Sequence, residues 1–204
     1  PEYRIKTFAS GKVTVKTGDT FTFTTDECEG DETRVSVNYE NLHNEMAPGG
    51  EITVCNGMVK FRVQEIVGHD IVCTCEVGGE MSNRKSMSFP NKVMSGPYLS
   101  EQDKQDIIFG ISQGVDFVAA SFVSTNSDVA SVRKFLNDNG GADIDIIAKI
   151  ENQAGVDNIE QICEACEGIM IARGDLGVEI PFVQVPSVQK LLISKCRMLG
   201  KRVI

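Results

Sequence analysis

Residues 144–177 read IDIIAKIENQAGVDNIEQICEACEGIMIARGDLG. Residues 144–150 are almost unbroken apolar, residues 156–167 carry a helical period, and residues 168–172 form a second apolar run. Short apolar runs separated by a helix pattern read as strands buried on both faces, the texture of a parallel sheet. Upstream, residues 115–123 (VDFVAASFV) predict another buried strand, and Asn126-Ser127-Asp128 can cap a helix that ends near Gly140-Gly141. Ser100-Glu101-Gln102-Asp103 offers a capping box for a helix running to about Gly110. Downstream, a helix over residues 183–199 leads into Val203-Ile204, the start of one more strand. Strand and helix thus alternate three times, which predicts a parallel α/β sheet or part of a barrel. Three βα units are too few to close an eight-unit barrel of roughly 250 residues, so an excerpt is expected.

Before residue 88 the texture differs. Apolar residues alternate with polar ones at Val13/Val15, Phe21/Phe23, Val35/Val37/Tyr39, Phe61/Val63 and Ile71/Cys73/Cys75, the period of half-buried strands. Thr17-Gly18-Asp19, Pro48-Gly49-Gly50, Asn56-Gly57 and Gly68-His69-Asp70 punctuate them as turns. Short strands at this spacing predict a small all-β barrel or sandwich with almost no helix. Residues 88–99 contain Pro90, Gly96 and Pro97 and read as a semi-rigid hinge.

Composition sets outer limits. With 41% hydrophobic and 24% charged residues the chain is an ordinary globular sequence, and a net charge of -9 leaves no basic stripe for nucleic acid. No run approaches the roughly 18 apolar residues of a membrane span, and residues 1–6 lack a signal-peptide core, so the expected location is cytoplasmic with no membrane partner. The seven cysteines lie in apolar periodic segments and read as reduced core thiols. Cys163 and Cys166 form a C-x-x-C spacing without a second pair, which favours packing over zinc or redox chemistry. His43 and His69 sit among turn residues and read as turn or surface groups.

Two motifs carry candidate chemistry. Lys149 and Glu151 lie two apart, so in a strand both leave the same face. At the carboxyl end of a parallel strand that face opens where barrel enzymes place their sites. The alternative is a charge pair that merely avoids burying either group alone. In Arg173-Gly174-Asp175-Leu176-Gly177, two glycines allow close backbone approach to a ligand, and a helical turn starting there would offer amides to an anion. The Asp175 carboxylate would be free for a divalent metal beside Glu151, since Mg²⁺ is commonly held by one or two carboxylates plus waters or substrate oxygens. The alternative is an Asp capping a Gly-rich turn.

The run Ala148-Lys149-Ile150-Glu151-Asn152-Gln153-Ala154-Gly155-Val156, followed by residues 168–181 (GIMIARGDLGVEIP), closely resembles the signature of pyruvate kinases. Asp116-Phe117-Val118-Ala119-Ala120-Ser121-Phe122-Val123, Leu99-Ser100-Glu101-Gln102-Asp103-Lys104 and Pro1-Glu2-Tyr3-Arg4 extend the resemblance to both ends. It implies a partial (β/α)8 TIM barrel with an inserted small all-β barrel domain. Residues 1–7 would end a barrel strand, 8–90 would form the all-β lid, and 91–204 would supply three βα units. The implied reaction is glycolytic transfer of a phosphoryl group from phosphoenolpyruvate to ADP, giving pyruvate and ATP, with Mg²⁺ or Mn²⁺ and K⁺. Lys149 would stabilise the transferring phosphoryl group and Arg4 would contact it. Glu151 and Asp175 would hold the divalent ion, and Ala172, Arg173, Gly174 and Asp175 would hold substrate, with Ser121 beside Lys149. The resemblance also implies a homotetrameric parent, K⁺ ligands mostly before Pro1, and an inactive isolated segment.

The sequence departs from the family at Cys55-Asn56-Gly57, where an acidic pair usually precedes the glycine. Asn-Gly remains a good hairpin turn, so the fold survives and a lid carboxylate contribution is in question. A metal-dependent aldolase of related barrel type would also place Glu and Asp on successive strands, but not an inserted β domain or Lys149 two residues before Glu151. A non-catalytic binding role for the β domain is the third reading.

Overall fold

The computed structural model describes residues 2–90, 92 and 94–204. Pro1 of the first expected motif, and Asn91 and Val93 of the expected hinge, lie outside the described residues. The chain divides into two compact units, Glu2–Met94 and Ser95–Ile204.

In the first unit, alternation dictates strands. β1 (Lys12–Val15), β2 (Thr20–Thr24), β3 (Arg34–Ser36), β4 (Glu51–Val54), β5 (Val59–Val67), β6 (Asp70–Val77), β7 (Gly79–Ser82) and β8 (Met87–Ser88) surround a one-turn helix α1 (Leu42–Glu45). One sheet runs β3-β2-β6-β5-β4-β8, and β1 pairs antiparallel with β7. The longest pairing, β5 with β6, shifts register between Val63 and Glu65; such a bulge bends a strand and raises its twist, which helps a small sheet curl over its core. At the centre of that core Phe21, Phe23 and Phe61 are wholly buried, with ring centroids 5.0–5.5 Å apart, a spacing at which edge and face contacts add to burial. The Asn-Gly turn between β4 and β5 forms as expected: the Met58 amide reaches the Cys55 carbonyl at 3.3 Å, and the central residues Asn56 and Gly57 are both at positive φ (55° and 79°), the primed turn that matches strand twist. His43 lies in α1 and His69 in the β5–β6 turn, their rings 4.6 Å apart and tilted by 36°, bonded to Thr25 and Asp26 respectively. Arg4 and Ile5 belong to this unit, bridging to Ser86 and Val37, and Ile5 is buried in the core.

The second unit contains α2 (Glu101–Ser112), β9 (Phe117–Ala120), α3 (Asn126–Asp138), β10 (Asp145–Ile150), α4 (Gln153–Asp157), α5 (Ile159–Ala165), β11 (Gly168–Ile171), α6 (Arg173–Glu179), a 3-10 turn at Phe182–Gln184, α7 (Val185–Met198) and β12 (Arg202–Val203). Its four strands are ordered β12-β11-β10-β9 and all pair in parallel. This is part of a (β/α)8 barrel: β9, β10 and β11 are each followed by a helix, and the carboxyl ends of successive strands share one edge. The capping box of α2 is present, with Ser100 Oγ accepting from the Asp103 amide and Asp103 accepting from the Ser100 amide. Gly168 is required where β11 passes β12, since a Cβ there would lie 2.9 Å from the Arg202 Cβ and 3.0 Å from its carbonyl oxygen.

Three expectations are corrected. The strand within residues 115–123 is not buried in this segment: among the described residues β9 pairs only with β10, and Phe117 is 52% exposed. The cap of α3 is Thr125, not Asn126, because Asp128 accepts from the Ser124 and Thr125 amides at 2.8 and 2.9 Å. Residues 156–167 form no single helix. Asn152 caps α4 through Oδ1 to the Gly155 amide at 2.8 Å, and the chain breaks at Asn158, whose Nδ2 donates to the Ser124 carbonyl. The cysteines are all free, and Cys163, Cys166 and Cys196 are core residues, with Cys163 and Cys196 sulfurs 3.3 Å apart.

Candidate active site

The parallel pairing of β9, β10 and β11 brings three segments to one edge. Ser121 follows β9, Glu151 follows Lys149 at the end of β10, and Ala172 leads from β11 into α6. Strand parity sends Lys149 and Glu151 the same way, and Lys149 Nζ lies 2.6 Å from Glu151 Oε1. The ammonium also donates to Ser121 Oγ at 2.9 Å. Lys149 is 22% exposed and Glu151 is 0% exposed, so the lysine reaches solvent and the carboxylate does not.

The two oxygens of Glu151 differ. Oε2 accepts the Phe122 backbone N–H. Oε1 is buried against the Lys149 ammonium, 2.6 Å away. Burial pushes the Glu151 carboxyl above the usual carboxylate range, and the charge of Asp175 pushes the same way; Lys149 and the Phe122 N–H oppose them. A wholly buried carboxylate on which a second carboxylate also acts is costly for one lysine to balance. It suits a hard divalent cation, which takes one or two carboxylates and completes its shell with waters or substrate oxygens. Among the described residues no cluster of three or more His, Cys, Asp or Glu side chains is placed to hold a metal.

Helix α6 begins where the Gly-rich reading expects a helical turn. Its N-cap, Ala172, supplies no side-chain acceptor, so the first amides, at Arg173, Gly174 and Asp175, lack the partner a helix start usually receives. Arg173, Gly174 and Asp175 are exposed. Lys149, Glu151, Ser121 and the Asp175 turn are therefore gathered in one unit. Arg4 lies in the other unit, where its guanidinium donates to the Arg84 carbonyl at 2.6 Å and to Glu2 at 2.5 Å.

Sequence reasoning passed over Phe122 and Tyr98. Phe122 contributes through its main chain at φ 53°, and Tyr98 donates its hydroxyl to the Ser121 carbonyl at 2.5 Å. A bulky residue held at positive φ is the structural sign of a constrained site, and no side-chain pattern announces it.

A family model described as "Pyruvate kinase, barrel domain" matches residues 1–204. A pyruvate kinase of Clostridium perfringens is 46% identical over the whole chain, which covers 43% of that protein. One from Bacillus licheniformis is 44% identical over the whole chain, which covers 35% of it. The crystal structure of a pyruvate kinase from Cryptosporidium parvum superposes on the entire chain with a TM-score of 0.90 at 35% identity, the chain covering 43% of it. The chain thus spans less than half the length of these relatives. With a family match over its full length, four parallel strands of a barrel and the lysine and carboxylates at their carboxyl ends, this chain belongs to the pyruvate kinase family.

Proposed function

We propose that these residues form the electrostatic part of a phosphoryl-transfer site that takes phosphoenolpyruvate and ADP to pyruvate and ATP in glycolysis. The observation that carries this reading is the Lys149–Glu151 pair, in which an ammonium that reaches solvent lies 2.6 Å from a wholly buried carboxylate. Phosphoryl transfer asks the protein for positioning and charge neutralisation rather than covalent help. Lys149, held by Ser121 and Glu151, can direct its remaining N–H toward the phosphoryl oxygens as that group passes from the enolate oxygen to ADP and negative charge develops on the enolate. The amides of the turn from Ala172 to Asp175 suit the substrate carboxylate or phosphate. Glu151 and Asp175 would hold Mg²⁺ or Mn²⁺, which supplies Lewis-acid neutralisation when bound. By family resemblance, Arg4 contacts the phosphoryl group and K⁺ assists.

The same reading takes residues 1–7 as the end of a barrel strand, 8–90 as the lid, and 91–204 as barrel. It places the protein in the cytoplasm, within a homotetramer. Among the described residues, no helix is long and apolar enough to cross a membrane. Mn²⁺ titration of the 204-residue chain tests the metal site. Wild type binds, and the double variant Glu151→Ala/Asp175→Ala loses binding; unchanged binding refutes the assignment. In a chain of the relatives' full length carrying this segment, Lys149→Met lowers turnover at least about a hundredfold with metal affinity retained. Near-normal turnover rejects the role of Lys149.

A further inference from the structure

The peptide unit that joins Ser121 to Phe122 is engaged at both ends. Its carbonyl oxygen accepts the Tyr98 hydroxyl at 2.5 Å, and its N–H donates to Oε2 of Glu151. The Oγ of the same serine receives the Lys149 ammonium at 2.9 Å. One peptide plane therefore borders both charged groups of the site. Its orientation is not the relaxed one, since Phe122 sits at φ 53°, in the left-handed region that residues with a Cβ disfavour. Turning the plane over would return Phe122 to negative φ and aim a carbonyl oxygen at Oε2, setting two acceptors against each other at a buried carboxylate.

Contacts downstream anchor the rest of this turn to β10 and the α4–α5 junction. The Val123 amide donates to the Lys149 carbonyl at 3.3 Å, and Asn152 and Asn158 each donate to Ser124 at 2.9 Å. At the Ser121 carbonyl the partner is Tyr98. This half-buried residue precedes α2, and burial, reinforced by the carboxylates of Asp128 and Glu151, pushes its hydroxyl above the ordinary range and keeps it a donor. Donation into a carbonyl polarises the whole peptide and strengthens the N–H at its other end.

We propose that Tyr98 is a positioning residue for the Lys149–Glu151 site: by holding the Ser121–Phe122 peptide it keeps the Phe122 N–H on Oε2 and leaves Oε1 to face Lys149 and a divalent cation. The inference rests on the metal-binding reading of Glu151 given above. Tyr98 touches neither substrate nor metal in this role; it acts through the peptide.

Tyr98→Phe keeps the ring and removes the hydroxyl. Amide hydrogen exchange and Mn²⁺ titration of the 204-residue chain separate the steps, with Ser100→Ala, which removes a helix cap in the same unit, as a control for general loosening. The expected result in Tyr98→Phe is exchange of the Phe122 amide about tenfold faster or more, β10 amides unchanged, and Mn²⁺ affinity about fivefold weaker. Ser100→Ala leaves Mn²⁺ affinity as in wild type. An unchanged Phe122 amide overturns the proposal. So does an unchanged Mn²⁺ affinity in Tyr98→Phe when Glu151→Gln abolishes binding in the same assay. Persistence of Mn²⁺ binding in Glu151→Gln counts against the metal reading instead, and the Phe122 exchange rate still reads the peptide clamp by itself.

Discussion

Gly155 lies in α4, one turn beyond the end of β10, where a Cβ would sit 2.6 Å from the Val123 carbonyl oxygen and 3.4 Å from Asn152 Oδ1. Real Cβ contacts stay above 3.0 Å, so Gly155→Ala forces α4 away from the turn that carries Ser121 to Ser124. The obstructing atom is backbone and cannot rotate aside. Overpacking of this kind costs about 1–3 kcal/mol, and against a rigid backbone atom the upper part of that range, about 2–3 kcal/mol, applies. Alanine's better helix propensity returns about 0.5–1 kcal/mol, leaving a net loss of about 1–2 kcal/mol. Gly174→Ala is the internal control, because nothing lies within 4 Å of its Cβ position and its φ is not in the left-handed range. Hydrogen exchange at the Ile146, Ala148 and Ile150 amides of β10 reports on this unit specifically. Through the usual relation between opening free energy and rate, Gly155→Ala should speed their exchange about 5- to 30-fold. Gly174→Ala should leave it equal or slower. Exchange in Gly155→Ala at the wild-type rate would refute the argument that close approach of α4 to the Val123 carbonyl selects glycine.

Asn56→Val should destabilise the β-sheet unit by about 1–2 kcal/mol, read as a lower urea midpoint, because a β-branched residue resists the positive φ that the β4–β5 turn imposes; an unchanged midpoint would argue against the primed turn. Alkylation at pH 8 should label Cys28, which is partly exposed, and spare buried Cys73, whose thiol burial pushes up to about 12. The sign of the linked stability follows: with the folded value above the ordinary 9.0, the contribution of Cys73 is complete below about pH 9 and is lost as pH rises toward 12. A Cys73→Ser variant whose alkaline loss of stability matches wild type would contradict this.

The motifs near β10 and β11 were legible because their signal is local. Apolar runs marked the strands, and the two-residue spacing of Lys149 and Glu151 put both on one face, as their 2.6 Å approach bears out. The expected single helix over residues 156–167 failed because its break is made by Asn158 reaching a carbonyl 34 residues away. The strand at Phe117 read as buried because apolar content does not say whether a neighbouring strand lies on both sides. Phe122 and Tyr98 were missed for a similar reason: what matters at Phe122 is an N–H that every residue but proline carries.

By itself, then, the sequence determined the alternation of strands and helices, the change from period-two to helical patterning, the pairing of Lys149 with Glu151, and the family. These depend on side-chain identity and short spacing, which the chain states directly. Only the tertiary structure decided that Glu151 is wholly buried while Lys149 reaches solvent, that the Ser121–Phe122 peptide faces Oε2, and that Tyr98 donates to it. Those outcomes depend on backbone orientation and on contacts across 23 to 29 positions of chain, where packing rather than local preference chooses the conformation.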